Sequence, residues 1–331
     1  MSTVHDPAMT RRASRPPMTG RFTSPSPAIG VDVGGTKTKG ILFGPTGPLA
    51  VTRTATLPGL DGIGSTISGV VHELLGRAGV DAGEVSALGI GIPGIVDPLA
   101  GTVAASVNLG LPVEPFSLAA DVLARVGIPA HLENDVSAAA AGAAHLMGLQ
   151  GDVALISLGT GLAAGLVLSG RTRAGSTGTA GEIGHIPYVP DGIPCGCGQR
   201  GCLELYASGS ALDRLWPTPE GRHSAPDLFR AAATDEDARA ALQVWLDALA
   251  HAVQIVTQTL DPRWVLISGG ISEVGDPLLD GLTRTLRDRA RVSPFLTELA
   301  MDERCLLVPA GLDIASVGAC LTALAAVDDR A

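Results

Sequence analysis

Two stretches of this chain share one design. AIGVDV-GGTKT-KGILF (28–43) and DVALISLGTG-LAAGLVLSG (152–170) each read as an apolar strand, a tight Gly-Thr turn and a second apolar strand. A hairpin of the same kind opening each half points to a duplicated α/β fold. The 331 residues leave room for two such units.

The elements between the hairpins fit that design. A third strand, LAVTRTATL, follows a Pro-Thr-Gly-Pro turn. Apolar spacing predicts a helix over 63–77, with Ile63, Ile67, Val70, Val71 and Leu74 on one face. Then come a buried strand (85–92), a helix near 118–125, the strand AHLEN and an Ala-rich helix from about residue 136. The second half predicts a helix over 238–260, the strand WVLISGG, a helix over 277–291, the strand CLLVPA and a last helix from about 314. Aromatics are 3% of the chain and Gly numbers 43, so the core has to be built from Ala, Val, Leu and Ile in closely approaching elements.

EIGHIPYVPDGIPCGCGQRGCLE (182–204) holds three of the five cysteines. As ligands, His185, Cys195, Cys197 and Cys202 form a closed four-donor set of the kind that holds structural Zn2+. With every position filled by protein, such an ion fixes a loop and does not activate water. No redox CxxC is present; the alternative is a Gly-rich loop with three metal-free thiols. Glu182 and Glu204 flank the set and suit vicinal hydroxyls, or are solvated surface acids.

The Gly-Thr turns suit phosphate. Gly34 and Gly35 allow positive φ and close backbone approach, while Thr36 and Lys37 add donors, so that amides can face the anion, and Asp32 could reach Mg2+ directly or through water. Gly159, Thr160 and Gly161 form the counterpart turn, and Gly269 and Gly270 of SGG would let a flat base approach the backbone. Each of these is also an ordinary turn. In END (133–135), Asp135 is a carboxylate general base for an attacking hydroxyl with Asn134 orienting the substrate, or else Asp135 is a helix cap. Phosphoryl transfer needs little beyond such positioning and charge neutralisation.

Other patterns exclude functions. GIGIPG (89–94) has Pro93 where a dinucleotide fold opens a helix, GCGQRG (196–201) lies inside the cysteine cluster, and no P-loop is present. A net charge of −10 argues against nucleic-acid and anionic-membrane partners. No apolar run approaches the roughly 20 residues needed to span a bilayer. The Pro/Ser/Thr-rich first 27 residues read as a disordered tail, with Met9 or Met18 as alternative starts, and an odd cysteine count fits a reducing cytoplasm.

Taken in order, DVGGTK, GIPG, END, LGTG, EIGH, CGCGQRGCLE and SGG resemble the ROK family (repressors, open reading frames and sugar kinases), from about residue 28 to the C-terminus. EIGH with CxCGxxGCxE is the specific part; DxGGT is shared with the wider actin-like sugar kinases. The resemblance implies an α/β, two-domain actin-like ATPase or sugar kinase (ribonuclease H-like) fold with a cleft between domains. The first domain would be 28–135 plus the C-terminal helix 314–331, the second 136–313 with the zinc loop 182–204. It implies Asp135 as the base on a sugar's primary hydroxyl, with Asn134, Glu182, His185 and Glu204 on the other hydroxyls and Gly94 and Asn108 lining the pocket. His185 would then serve both zinc and sugar. ATP with Mg2+ is the expected donor, ahead of polyphosphate, and a cytoplasmic homodimer the expected assembly. Glucose is the expected substrate, N-acetylmannosamine or N-acetylglucosamine the alternative, and a non-catalytic sugar-sensing regulator the reading from another class. The repressors' winged helix-turn-helix has no room in the first 27 residues. Two departures stand out: Leu162-Ala163-Ala164 follow Gly161 where relatives often continue with glycine, and Leu111 stands where an aromatic pocket wall is common.

Overall fold

β1 (Ala28–Val33) buries every side chain except Asp32, because it lies at the centre of a sheet covered on both faces. The structure is a computed structural model describing residues 21–219 and 224–329. β1 pairs antiparallel with β2 (Lys37–Gly44), which pairs antiparallel with β3 (Gly47–Ala55). On its other side β1 is parallel to β4 (Ala87–Ile92). A short pair, β5 (Ile95–Asp97) and β6 (Thr102–Ala104), precedes β7 (Ala130–Asn134), which is parallel to β4. The second sheet contains β8 (Val153–Leu158), β9 (Leu162–Leu168), β10 (Arg171–Thr172), β11 (Trp264–Ser268) and β12 (Cys305–Leu307). Its order, β10-β9-β8-β11-β12, repeats β3-β2-β1-β4-β7 strand for strand. The duplication read from the Gly-Thr turns is thus present in the topology.

The helices are α1 (Leu60–Ala78), α2 (Leu118–Val126), α3 (Asp135–Leu146), α4 (Glu204–Ala207), α5 (Gly209–Leu215), α6 (Ser224–Ala231), α7 (Glu236–Leu260), α8 (Asp276–Ala290), α9 (Pro294–Glu298), α10 (Met301–Arg304) and α11 (Ile314–Asp328). Contrary to the expectation that no run reaches spanning length, α7 is apolar enough to cross a membrane by length and composition, with its apolar residues interrupted by charged ones. Its stripe of Trp245, Leu246, Leu249, Val253 and Val256 is instead buried against the second sheet's core. Of the expected disordered tail, residues 1–20 lie outside the described residues. Phe22 is buried, edge-on to Phe43 at 4.8 Å, and the Ser24 N–H donates to the Gly44 carbonyl, so the end of the expected tail is anchored to the first sheet at these two residues.

α3 starts at the end of the first sheet and lies on β8 and β9 of the second; α11 starts beyond β12 and lies on β1 and β4 of the first. The two helices cross with their backbones in contact. A Cβ on Gly142 would stand 1.8 Å from the Ile314 carbonyl oxygen, and one on Gly318 1.6 Å from that of Ala138. Gly89 meets α11 in the same way, 1.8 Å from the Ala319 oxygen. Glycine-rich, aromatic-poor composition is therefore a packing requirement. Gly318→Ala is expected to lower the denaturant midpoint, by about 1–3 kcal/mol or more, since only backbone could give way. Gly76→Ala in α1, where nothing lies within 4 Å, should leave it unchanged or raise it by up to about 1 kcal/mol. Equal midpoints for the two variants would contradict the close-approach account.

Candidate functional site

Parallel strands β1, β4 and β7 end together, and the polar residues cluster at that edge, where open α/β sheets bind ligands. Asn134 ends β7 and caps α3: its Oδ1 accepts from the N–H groups of Val136 (3.0 Å) and Ser137 (3.2 Å). Its Nδ2 donates to the Gly94 carbonyl at 3.2 Å. The cap considered for Asp135 therefore belongs to Asn134, one residue earlier. This leaves the Asp135 carboxylate in the first turn of α3, half-buried. Burial pushes Asp135 up to about 6, Glu182's charge adds to this, and the N–H groups of Val136 and Asp135 oppose it. Asp32 is also raised to about 6, by burial and by Asp135, against Lys39 and Arg53. The two aspartates are thus electrostatic neighbours.

Lys39 went unnoticed in the sequence, although the hairpin register places it directly opposite Asp32. It forms an ion pair with Asp313, which precedes α11. Lys37, the residue singled out from the motif, is exposed on the turn.

The first Gly-Thr turn is held by the Gly34 N–H to the Lys37 carbonyl (3.0 Å), the Thr56 hydroxyl to the Gly34 carbonyl (2.7 Å) and the Thr56 N–H to the Thr36 carbonyl (3.1 Å). Neither Gly34 nor Gly35 has a positive φ; of the two uses open to them, the turn makes the close approach. Their use is lack of bulk: a Cβ at Gly34 would press on the Lys37 carbonyl at 2.9 Å, and one at Gly35 would touch Asn108 at 3.4 Å. Asn108, exposed in a single 3-10 turn, thereby sits against the phosphate turn. Leu111, at the position of the missing aromatic, is buried in the first core.

In the second sheet, the Ser210 hydroxyl donates to the Thr160 carbonyl and the Gly209 N–H to the Gly159 carbonyl, so α5 anchors the turn 159–161. Gly269, at φ 94°, lets β11 end 2.3 Å, as a Cβ would measure it, from the Leu158 carbonyl. Gly269-Gly270 therefore lies beside the Gly159 turn, with Gly270 unobstructed within 4 Å.

Glu204 joins this turn to the cysteine loop. A Cβ at Gly161 would come 2.9 Å from its Oε2, while its Oε1 is 3.5 Å from His185 Nδ1. His185 Nε2 is 3.9 Å from Glu182 Oε2. Contacts run from Glu182 through His185 and Glu204 to Gly161, and charge effects tie Glu182 to Asp135 and Asp135 to Asp32. Among the predicted residues, no direct contact joins the two Gly-Thr turns among the described hydrogen bonds; Asn108 and Glu204 lie beside one turn each.

The donor atoms of His185, Cys195, Cys197 and Cys202 all lie within 4.8 Å of one another. Cys197 and Cys202 sulfurs are 3.6 Å apart, and Cys195 Sγ is 3.7 Å from His185 Nδ1. A tetrahedral Zn2+ with Zn–S bonds of about 2.3 Å needs edges of about 3.8 Å, so the donors fit the ion. Burial pushes the Cys202 thiol up to about 12, whereas the Gln199 N–H donors pull Cys197 down to about 6. Gly201, at φ 70° and with no space for a Cβ beside the Val189 carbonyl, closes the loop.

A model described as the ROK family matches residues 28–306. The glucokinase of Streptomyces coelicolor is 34% identical over 288 residues, covering 78% of this chain and 86% of that protein. The N-acetyl-D-glucosamine kinase of Erwinia tasmaniensis is 30% identical over 290 residues, covering 83% and 92%. Among solved structures, the ROK family glucokinase from Streptomyces griseus, in complex with glucose and AMPPNP, is 32% identical with a TM-score of 0.71, covering 90% of this chain and 99% of that one.

Proposed function

Because the chain belongs to the ROK family, with the actin-like sugar-kinase fold, we propose that it transfers the γ-phosphoryl group of ATP to the primary hydroxyl of glucose. That it is an ATP-dependent sugar kinase follows from its relatives; the choice of glucose rests on the Streptomyces glucokinases being similar over most of both chains.

In this reading Asp135 takes the proton from the sugar hydroxyl as that oxygen attacks phosphorus, and the phosphate-bridging oxygen of the donor leaves with ADP. The single observation behind the assignment is that Asn134, not Asp135, occupies the cap, so the Asp135 carboxylate is not committed to capping α3. Asn134 keeps only part of its amide for the sugar; its main task is to hold Gly94 and α3 in register. Glu182, Glu204 and the Nε2 side of His185 face the remaining hydroxyls, with Gly94 and Asn108 completing the pocket.

The turns 34–36 and 159–161 hold the donor phosphates, and Gly269-Gly270 receives the base. Asp32 is an oxygen donor suited to Mg2+, which when bound with the donor neutralises phosphate charge. Zn2+ on the cysteines holds the loop carrying Glu182, His185 and Glu204. The segments 28–135 with 314–331, and 136–313, act as two domains closing over the sugar, in a cytoplasmic homodimer.

N-acetylglucosamine is the second reading, favoured by the similarity to the Erwinia tasmaniensis kinase. An ADP-release assay with ATP and Mg2+ across glucose, mannose, fructose, N-acetylglucosamine and N-acetylmannosamine decides between them. The expected outcome is the highest kcat/KM on glucose. Faster turnover of either N-acetyl sugar would replace the glucose assignment.

A further inference from the structure

Glu133 is 2% exposed, at the edge of the first sheet and one residue before the cap. Burying a carboxylate is unfavourable unless its oxygens are hydrogen-bonded. Here Oε1 accepts the Asn134 N–H at 3.0 Å and Oε2 accepts the hydroxyl of Thr172 at 2.6 Å. Thr172 belongs to β10, the edge of the second sheet. The carboxylate is therefore a bridge between the two edge strands, and its near end grips the peptide from which Asn134 and Asp135 project.

Packing buries the side chain, and the two hydrogen bonds set the orientation of its carboxylate. Behind the bridge lies a cavity of about 1290 Å³ lined by Glu133, Thr172, Val96, Ala141, Arg171 and Asp329, among others. The bridge thus forms part of the wall of that cavity. Its charge does not govern the base: the acid whose charge raises Asp135 is Glu182.

We propose that Glu133 is a positioning residue for phosphoryl transfer, locking the Asn134–Asp135 turn to the β9–β10 hairpin through its paired hydrogen bonds. This rests on the reading of Asp135 as the base. It ties the aim of Asp135 to the placement of the second sheet, so that both halves of the molecule set the geometry of the reacting groups.

The variants Glu133→Gln, Glu133→Ala and Thr172→Val test it, read as kcat, KM for sugar, KM for ATP and Tm. Gln can still accept from the Asn134 N–H while its amide donates to the Thr172 hydroxyl, so kcat within about threefold of wild type is expected. Ala removes both bonds and is expected to lower kcat by about 10–100-fold, the scale of a small misplacement of reacting groups, with KM for ATP unchanged. Thr172→Val should fall between them, and Glu133→Ala/Thr172→Val should be no worse than Glu133→Ala, because the bonds act as one unit. Wild-type kcat in Glu133→Ala, or Glu133→Gln as impaired as Glu133→Ala, would overturn the inference. Should Glu133→Ala fail to fold, Glu133→Gln against Thr172→Val decides, since hydrogen bonding requires the second to be the slower. A wild type inert on every sugar would overturn the base assignment and this inference together; an active wild type with an unaffected Glu133→Ala would overturn this one alone.

Discussion

Asp135→Asn is expected to lower kcat by about 10²–10⁴-fold while leaving sugar binding and the fold in place, the usual contribution of a positioned general base. Asn keeps the size of the side chain and can still accept from the first-turn amides, so α3 and its Asn134 cap are undisturbed. What disappears is the group that receives the proton. In the wild type that group is active only when ionised, and burial with the neighbouring Glu182 charge holds it at about 6. The rate on the acid side should accordingly rise with pH through about 6 and level off above. Asp32 is raised to a similar value partly by Asp135, so the limb belongs to the pair rather than to either residue.

The same shift has a stability counterpart of opposite sign. A carboxyl at about 6 in the folded chain, against 3.8 as its ordinary value, binds protons more tightly when folded. Its contribution to stability is fully present below the ordinary value and is lost as pH rises through the folded one. At neutral pH Asp135→Asn should therefore melt no lower than wild type, and higher if the pair repels. Retention of more than about a tenth of the rate would remove Asp135 from the base role.

Cys202→Ser is expected to abolish stoichiometric zinc and lower Tm, and to raise KM for the sugar by about 10–100-fold, the equivalent of losing one or two hydrogen bonds to charged groups. The sulfur is fully buried, and its neighbours in the donor set include His185, whose other nitrogen faces Glu182. Without the ion the loop has three thiols and one imidazole crowded together with nothing to share, and Glu182, His185 and Glu204 lose their common anchor. KM for ATP should move less, through Glu204 against Gly161 alone. Elemental analysis, melting curves and the two KM values report these effects separately. Zinc-free protein with unchanged Tm and sugar KM would show that the cluster holds no structural ion.

Local features of this chain were legible from its sequence, and paired ones were not. The Gly-Thr hairpins, the α7 stripe and the cysteine set each lie within a short stretch, so residue type and spacing carry them. END illustrates the limit. Either Asn134 or Asp135 can cap a helix, and which one does depends on a one-residue choice of helix start. The glycines at 34 and 35 could serve a positive φ or a close approach, and only the folded turn shows that their small size is what it uses. Lys39 and Asp313 are 274 residues apart in sequence, and Glu133 meets Thr172 only because two edge strands come together. No periodicity reports such partners.

The glycine crossing of α3 and α11 also sets what kind of motion the molecule can make. Where side chains interdigitate, neighbouring helices can creep past one another by switching rotamers. At Gly142 and Gly318 there are no side chains to switch. Rotation about the point of contact preserves the separation of the two backbones, whereas translation drives a carbonyl into the facing chain. The crossing therefore resists sliding of one sheet past the other, and the two-domain closure proposed above would have to be a hinge rather than a shear.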